Sequence, residues 1–168
     1  RDAMTAVMLE FTILTAARTG EVLGARWPEI DFDASIWTVP ADRMKGKRVH
    51  RVPLSPRAVE VLRAVAPLRS IGDFIFPGAR RGRPLSNMAM EMTLRRMGVG
   101  GVTVHGFRSA FRDWAGDMTQ FQREVAEAAL AHIIGDKAER AYRRGDALEK
   151  RRALMEAWAR YCSGCEDV

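Results

Sequence analysis

The side chains that could do chemistry in this 168-residue chain include two arginines, two histidines and one tyrosine, namely Arg18, His105, Arg108, His132 and Tyr142. A phosphodiester under attack carries negative charge on its non-bridging oxygens, and guanidinium groups can hold that charge in place. A phenol becomes a nucleophile when a nearby base or positive charge helps it to lose its proton. The set therefore indicates an enzyme that attacks a phosphodiester and holds it covalently, with DNA as the expected substrate.

Spacing supports part of this set and leaves other interpretations open. His105 and Arg108 are one helical turn apart, so both can reach one phosphate from the start of a helix. Taken singly, an arginine is more often a surface residue or an ion-pair partner, and packing alone could explain His132 after its apolar helix end. Tyr142 by itself is more often an interfacial residue with a solvated hydroxyl. Only the order of the whole set favours catalysis.

A basic segment adds a sixth candidate. Five of the nine residues from Arg43 to Arg51 are lysine or arginine. A solvated charge run is the usual meaning of such a cluster. At the tip of a hairpin that enters a DNA groove, however, Lys45 could donate a proton to the leaving 5′ oxygen, with Lys47 as the competing candidate. The predicted DNA contacts are Arg43, Lys47, Arg48, Arg51, Arg81 and Arg83.

Among the carboxylates of the chain, Glu21 lies three residues after Arg18 and is expected to orient Arg18 or the lysine. No cluster of Asp and Glu suits two divalent metals, and no GxxxxGK[ST] phosphate loop occurs. We therefore expect chemistry that needs neither a metal nor a nucleotide cofactor. His50 is expected to contact phosphate or to lie on a strand surface.

Length and composition fit one globular domain that binds a polyanion. With 47% hydrophobic residues the chain can bury a core, and a net charge of +6 attracts nucleic acid. No signal peptide and no apolar run of the ~18–20 residues that a membrane span requires are present, so a cytoplasmic, nucleoid-associated bacterial protein is expected. Cys162 and Cys165 form a lone CxxC, which we interpret as an unstructured tail.

Helical periodicity dominates the chain. Apolar residues from Met4 to Leu14 predict a first helix with no cap before it, so more protein is expected upstream. Glu21 to Trp27 predicts a short second helix, which places Arg18 at a helix junction. A further helix is predicted to begin near His105. The last predicted helix runs from Asp146 to Tyr161.

A small sheet interrupts these helices. Ser35 to Val39 and Val49 to Leu54 are β-branched segments that flank a polar, glycine-containing stretch, which predicts a hairpin. Phe74 to Phe76 is a candidate third strand. Ser55 followed by Pro56 predicts a helix start immediately after the hairpin. The predicted fold class is therefore mainly α with a small antiparallel β-sheet (α+β).

Five ordered blocks of sequence resemble the catalytic domain of tyrosine recombinases, in particular the integrases of temperate phages and genomic islands. The matching segments are TAARTGEVLGARWPEID, RMKGKRVHRVPLS, HGFRSAFRDWA, LAHIIGDKAERAYRRGD and LEKRRALMEAWARYC. This resemblance implies the fold of that catalytic domain over residues 1–168, with core-binding and arm-binding domains upstream. It also implies a role for each candidate: the catalytic arginines Arg18 and Arg108, the hairpin lysine Lys45, the active-site histidines His105 and His132, the nucleophile Tyr142 and the acidic residue Glu21.

The resemblance implies integration of mobile DNA by strand exchange without net hydrolysis. Tyr142 would attack the scissile phosphate, form a 3′-phosphotyrosine and release a 5′ hydroxyl, and a 5′ hydroxyl from the partner duplex would reverse the step. The expected partners are double-stranded DNA attachment sites and three further protomers.

The last helix raises a question about that assembly. A homotetramer on DNA is expected to form through helix 146–161, while the isolated chain is expected to be a monomer. Its apolar stripe contains Leu148, Met155 and Trp158, which could contact a neighbouring protomer or close the chain's own domain.

Two other functions stay open. A nicking and closing enzyme of the type IB topoisomerase kind resembles this group, but it would not assemble two duplexes. A regulator of DNA excision would bind DNA without cutting it.

Overall fold

A computed structural model describes residues 2–80, 82–132 and 147–164 of the chain. The helices are α1 Asp2–Thr15, α2 Thr19–Leu23, α3 Pro56–Val65, α4 Ala89–Arg96, α5 Gly106–Asp117, α6 Arg123–Ala129 and α7 Leu148–Cys162. The strands are β1 Ile30–Asp31, β2 Ile36–Val39 and β3 His50–Pro53, and short 3₁₀ turns cover Trp27–Glu29, Ala41–Arg43 and Ala66–Ile71. The predicted mainly α fold with a small antiparallel sheet is confirmed. No helix in the described ranges is long and apolar enough to cross a membrane.

The sheet is a three-stranded antiparallel meander in the order β1, β2, β3. The predicted hairpin is confirmed, because Ile36 pairs with Pro53 and Val39 pairs with His50. The prediction of a third strand at Phe74 to Phe76 is wrong. That segment forms an isolated bridge between Phe74 and Arg26 but no ladder, because Arg26 is followed by the 3₁₀ turn Trp27–Glu29, whose proline has no N–H to continue the pairing.

Helix starts follow the predicted signals only in part. α1 is confirmed, and Ser55 caps α3 through its Oγ, which accepts a hydrogen bond from the Ala58 nitrogen at 3.3 Å. The second helix begins at Thr19 and ends at Leu23, earlier than predicted. Trp27 falls in a separate 3₁₀ turn, since proline follows it and a helix cannot continue through that position. Arg18 is the N-cap of α2 and therefore lies at a helix junction, as predicted.

The last helix packs within its own chain. α7 contacts α1, α6 and β3, and Leu154, Met155 and Trp158 are buried there. The Nε1 of Trp158 donates a hydrogen bond to the backbone oxygen of Ile13 at 2.8 Å. The apolar stripe of this helix is therefore used in cis. Cys162 belongs to the helix, which corrects the prediction of an unstructured tail at that residue.

Two groups of buried side chains form the core. The larger lies between α1, the sheet, α3 and α4, and in it the ring of Phe11 contacts the rings of Trp37 and Phe76. The smaller lies between α5, α6 and α7 and includes Phe111 and Trp158. The α1–α2 junction lies where these groups meet, since Ala16 belongs to one and Ala17 to the other. That junction carries Arg18.

Candidate active site

Arg108 ties together the two parts of the chain that carry other candidate residues. It lies in the first turn of α5. Its Nη1 donates a hydrogen bond to the backbone oxygen of Ala16, and its Nη2 donates one to that of Leu130 at 2.9 Å. Ala16 lies two residues before Arg18, and Leu130 lies two residues before His132. The Arg108 guanidinium therefore joins the α1–α2 junction to the end of α6.

Burial and a neighbouring charge change the acidity of this guanidinium. Only 6% of Arg108 is exposed. Burial lowers the pKa of Arg108 to about 10, and the positive charge of Arg18 acts in the same direction, whereas the carboxylate of Glu21 opposes both. Arg108 is still protonated at neutral pH. Because the charge of Arg18 affects its pKa, the guanidinium groups of Arg18 and Arg108 lie close enough to influence each other. Such a pair favours a bound anion between or beside them.

Glu21 holds Arg18 in position. Its Oε1 accepts a hydrogen bond from the Arg18 Nη1 at 2.8 Å, and its Oε2 accepts one from the Arg18 backbone nitrogen at 3.1 Å. Glu21 is only 4% exposed, whereas 28% of the Arg18 side chain is exposed. The carboxylate is thus inside the protein while part of the guanidinium can still reach a ligand. Of the two predicted partners of Glu21, Arg18 is the one that it contacts, and its role in orienting Arg18 for a ligand stays a prediction.

His132 follows a tight reversal of the chain at the end of α6. Ala131 adopts a left-handed conformation with φ of 52°, and the His132 backbone nitrogen donates to the backbone oxygen of Glu127 at 2.9 Å. Together with the bond from the Ala131 nitrogen to Ala128, this is a Schellman motif. The reversal also brings the His132 Nδ1 to 2.5 Å from the Glu127 Oε2.

Glu127 is a residue that the sequence analysis missed. It lies five positions before His132, a spacing at which an α-helix does not bring side chains together, and the left-handed turn at Ala131 makes the contact possible. Glu127 is 7% exposed, while 37% of the His132 side chain is exposed. The sequence offers a partial signal, because a carboxylate near the end of a helix opposes the helix dipole and needs another reason to be there.

His105 lies at the N-cap position of α5 and is exposed. Two hydrogen bonds fix the backbone on either side of it. The Glu91 Oε1 accepts from the Val104 nitrogen at 3.2 Å, and the Thr103 Oγ1 accepts from the Gly106 nitrogen at 3.0 Å. The start of α5 is thereby held with the His105 side chain facing solvent, one turn before Arg108.

The hairpin lysines lie in the connection between β2 and β3. Both are exposed, and the Lys47 Nζ donates to the backbone oxygen of Asp42 at 3.3 Å. Lys47 is therefore directed back onto its own turn, and Lys45 as the proton donor, with Lys47 as its competitor, stays a prediction. No described contact joins Lys45 to Arg18 or Arg108. Tyr142 lies outside the described residues.

The predicted DNA contacts divide into two groups. Arg48, Arg51 and Arg83 are exposed, while Arg81 lies outside the described residues. Arg43 differs from them, since its Nη2 donates to the Glu29 Oε2 at 2.5 Å and its Nη1 donates to the backbone oxygen of Glu21 at 3.0 Å. Its guanidinium is engaged inside the protein, so a structural role fits Arg43 better than a DNA contact.

His50 is half-buried between the sheet and α6, which does not fit the expected position on a strand surface. Its Nε2 lies 3.2 Å from the backbone oxygen of Ala129 and donates to it. Burial lowers the pKa of His50 to about 4, the charge of Arg151 adds to this effect and that of Arg18 contributes less, whereas Glu21 and the bond to Ala129 oppose it. His50 is therefore neutral at physiological pH and serves to dock β3 on α6.

The depressed pKa of His50 predicts a pH-dependent stability. Between pH 6.5 and pH 4 the unfolded chain binds a proton at His50 that the folded chain does not bind. The contribution of the neutral His50 to the unfolding free energy is therefore complete above pH 6.5 and is lost as pH falls. We expect the difference in unfolding free energy between the wild type and His50→Gln to narrow by about 2 kcal/mol from pH 7.5 to pH 5. Urea unfolding of both proteins at the two pH values measures this. An unchanged difference would contradict the assignment.

Comparison with known proteins identifies a family model, described as the phage integrase family, that matches residues 1–144. Prophage integrase IntA of Escherichia coli K12 is 43% identical over 157 residues, which are 92% of this chain and 38% of that protein. The integrase of Shigella phage Sf6 is 30% identical over 148 residues, covering 86% of this chain and 38% of its own length. The chain thus spans about two fifths of the length of these curated relatives.

Two solved structures share the fold. The integrase from mycobacterium phage Brujita superposes with a TM-score of 0.67 at 21% identity, over 91% of this chain and 50% of that one. A lambda integrase (75-356) dimer bound to a COC′ core site gives a TM-score of 0.56 at 20% identity, over 80% of this chain and 54% of that one. At these identities the likeness establishes the architecture.

Proposed function

Because this chain belongs to the phage integrase family, we propose that it performs the DNA cleavage and rejoining steps of site-specific recombination of phage or prophage DNA. The observation that supports this most strongly is the bridge made by Arg108. Its guanidinium joins the Arg18 junction to the turn before His132. Residues far apart in sequence thus form one cationic centre of the kind that a phosphodiester in transition requires.

Each step can be assigned to a side chain. The Tyr142 oxygen forms a bond to the scissile phosphorus while the bond from phosphorus to the 5′ oxygen breaks, which leaves a 3′-phosphotyrosine. Lys45 donates a proton to the departing 5′ oxygen, and the phenolic proton passes to a histidine of the centre. Arg18 and Arg108 hold the charge that develops on the non-bridging oxygens. A 5′ hydroxyl of the partner strand then attacks the phosphotyrosine and restores the tyrosine.

The whole protein is proposed to contain further domains beside this one. The matched relatives are more than twice as long as the matched region, so core-binding and arm-binding domains upstream are proposed to supply further DNA contacts. Exchange between two attachment sites in the bacterial cytoplasm would use four protomers. Because Leu154, Met155 and Trp158 of α7 are buried in their own chain, helix 146–161 would join protomers through its exposed residues or by exchange of the helix between protomers.

Covalent capture on DNA tests the proposed chemistry. The chain is incubated in EDTA with a pool of nicked duplexes of randomised sequence, and adducts are resolved on a denaturing gel. We expect a protein–DNA adduct in the wild type and none in Tyr142→Phe, which keeps the ring but removes the attacking oxygen. Sequencing of the captured strands would also give the recognition sequence. An adduct that persists in Tyr142→Phe, or wild-type binding to these duplexes without any adduct, would contradict the proposal.

Charge removal on the hairpin tests the proposed DNA surface. If Arg48 contacts a phosphate, Arg48→Gln should reduce the slope of log affinity against log salt concentration by about 1, because one counterion fewer is released. Arg57→Gln is the matched control, since Arg57 is exposed and paired with Glu10 and Glu60. Titration of a labelled duplex at four salt concentrations gives both slopes. Equal slopes for Arg48→Gln and the wild type would indicate an ordinary solvated charge.

A further inference from the structure

We infer that Glu127 is a positioning residue for His132, and that it sets which ring nitrogen of His132 faces the DNA phosphate. The inference rests on the proposed function only in taking phosphate as the ligand of His132. The contact itself is independent of that function. The Glu127 Oε2 lies 2.5 Å from the His132 Nδ1, and the backbone of the two residues is joined by a second hydrogen bond of 2.9 Å.

The chemistry of the pair fixes the tautomer. An ionised carboxylate can only accept a hydrogen bond, so the His132 Nδ1 must carry the hydrogen. In the neutral ring, Nε2 is then an acceptor that can take a proton, and in the protonated ring it becomes a second donor that can bind a phosphate oxygen. A histidine held in the other tautomer would offer an N–H at Nε2 before any proton transfer. Glu127 thus selects the state in which His132 can take part in proton movement.

The surroundings of Glu127 divide its two oxygens between different tasks. The Arg112 Nε and the Arg123 Nε each lie 3.8 Å from Oε1, while Oε2 is used by His132. The two arginine side chains are 55% and 84% exposed, so they compensate the carboxylate charge from the solvent side. This arrangement holds a largely buried carboxylate in place and directs one oxygen at the imidazole.

Within α6 the carboxylate of Glu127 pairs with Arg123, and an ion pair with so exposed an arginine contributes little to stability. Glu127 lies in the last turn of α6, where the helix dipole is unfavourable for negative charge. It is also 7% exposed, and burial of a charge is unfavourable unless the charge is paired. Arg112 and Arg123 approach the carboxylate from the solvent side at 3.8 Å, whereas the imidazole of His132 lies within hydrogen-bonding distance at 2.5 Å. The shortest of these contacts is therefore the one with His132, which supports a positioning role for Glu127.

Glu127→Ala and Glu127→Gln test the inference through a signal that needs no DNA. The chain contains three histidines, so long-range ¹H–¹⁵N spectra can assign His132 by comparison with His132→Ala. We expect the wild type to show the Nδ1–H form, and Glu127→Ala to show a mixture of tautomers. Glu127→Gln, whose amide can accept or donate, should show a weaker preference than the wild type. A His132 tautomer unchanged in Glu127→Ala would overturn the inference.

Kinetics supply the second readout. We expect Glu127→Ala to lower the rate of DNA cleavage about 10- to 100-fold with little change in duplex affinity, and Glu127→Gln to retain more of the rate. In a His132→Ala background, Glu127→Ala should have no further effect, because Glu127 acts through His132. Glu124→Gln, an exposed acidic position on the same helix, is the matched control. An equal loss in both backgrounds would overturn the inference.

The two readouts separate this inference from the proposed function. If the tautomer shifts in Glu127→Ala but the wild type forms no adduct with DNA, the positioning role stands and recombination chemistry is refuted. If the wild type cleaves DNA while both readouts are unaffected by Glu127→Ala, the recombination chemistry stands and the positioning role is refuted. Thermal melting of each variant checks that the comparison is made between folded proteins.

Discussion

Replacement of Arg108 by lysine is expected to lower the rate of DNA cleavage by roughly 10²- to 10³-fold. The guanidinium reaches Ala16 and Leu130 at the same time and keeps further donors for a phosphate oxygen. A lysine ammonium retains the charge but cannot span these positions in the planar geometry of arginine. The effect should appear mainly in the cleavage rate, because the developing charge exists only in the transition state. Single-turnover cleavage and duplex affinity, measured side by side, check this.

Folding must be measured in the same experiment. The variant leaves at least one buried backbone oxygen without its donor, which is expected to lower the unfolding free energy by about 1–3 kcal/mol. Arg57→Lys serves as the control, since Arg57 makes exposed ion pairs with Glu10 and Glu60. Parallel losses of affinity and rate in a folded Arg108→Lys protein would mark Arg108 as a binding residue and contradict its transition-state role.

Replacement of Trp158 by alanine is expected to lower the unfolding free energy by about 3–5 kcal/mol. The Trp158 ring lies 5.4 Å from the Phe111 ring and 5.0 Å from the Trp114 ring, and its Nε1 is bonded to Ile13. The substitution would remove buried area in the smaller core and one interhelical hydrogen bond together. Guanidinium unfolding of the isolated chain measures the loss.

Protein concentration decides between packing in cis and in trans. If α7 closes its own domain, the wild type should have the same unfolding midpoint at low and high protein concentration, and so should Trp158→Ala. Tyr161→Ala provides a matched control on the same helix, because this residue is 42% exposed and stacks on the same tryptophans. A loss of about 1 kcal/mol is expected there. A midpoint that rises with concentration in the wild type would show that α7 is exchanged between protomers.

Local signals in the sequence were enough to predict much of the fold. The helical period of α1, the Ser55 cap followed by Pro56, and the β-branched strands on either side of the basic turn each act over a few residues. Such features specify their elements before any tertiary contact forms. The junction at Arg18 followed from the same reasoning, because the end of α1 and the start of α2 are both local events.

Tertiary contacts explain what the sequence could not predict. The segment from Phe74 to Phe76 has the composition of a strand, but its pairing with Arg26 stays an isolated bridge because the partner segment enters the 3₁₀ turn Trp27–Glu29. Arg43 belongs to a basic segment, yet it is bound by Glu29, which lies 14 positions away in the sequence. His50 is captured by the backbone of α6, which lies 79 positions away.

In the candidate site, too, local sequence predicted some features and tertiary contacts determined the others. The types and order of Arg18, His105, Arg108 and His132 were readable from the sequence, because each carries a recognisable chemical group. What holds them was not readable. Arg108 is fixed by backbone oxygens, which any residue could supply, and the partner of His132 becomes visible only through the left-handed turn at Ala131.

The most direct measurement is a crystal structure of the chain on a duplex whose scissile phosphate is replaced by orthovanadate. The expected result is a vanadium atom bonded to the Tyr142 oxygen, with its non-bridging oxygens within hydrogen-bonding distance of the Arg18 and Arg108 guanidinium groups. His132 should contact the same vanadate through Nε2. Vanadate bonded to another residue, or bound away from the two arginines, would contradict the assignment of this centre as the site of DNA cleavage.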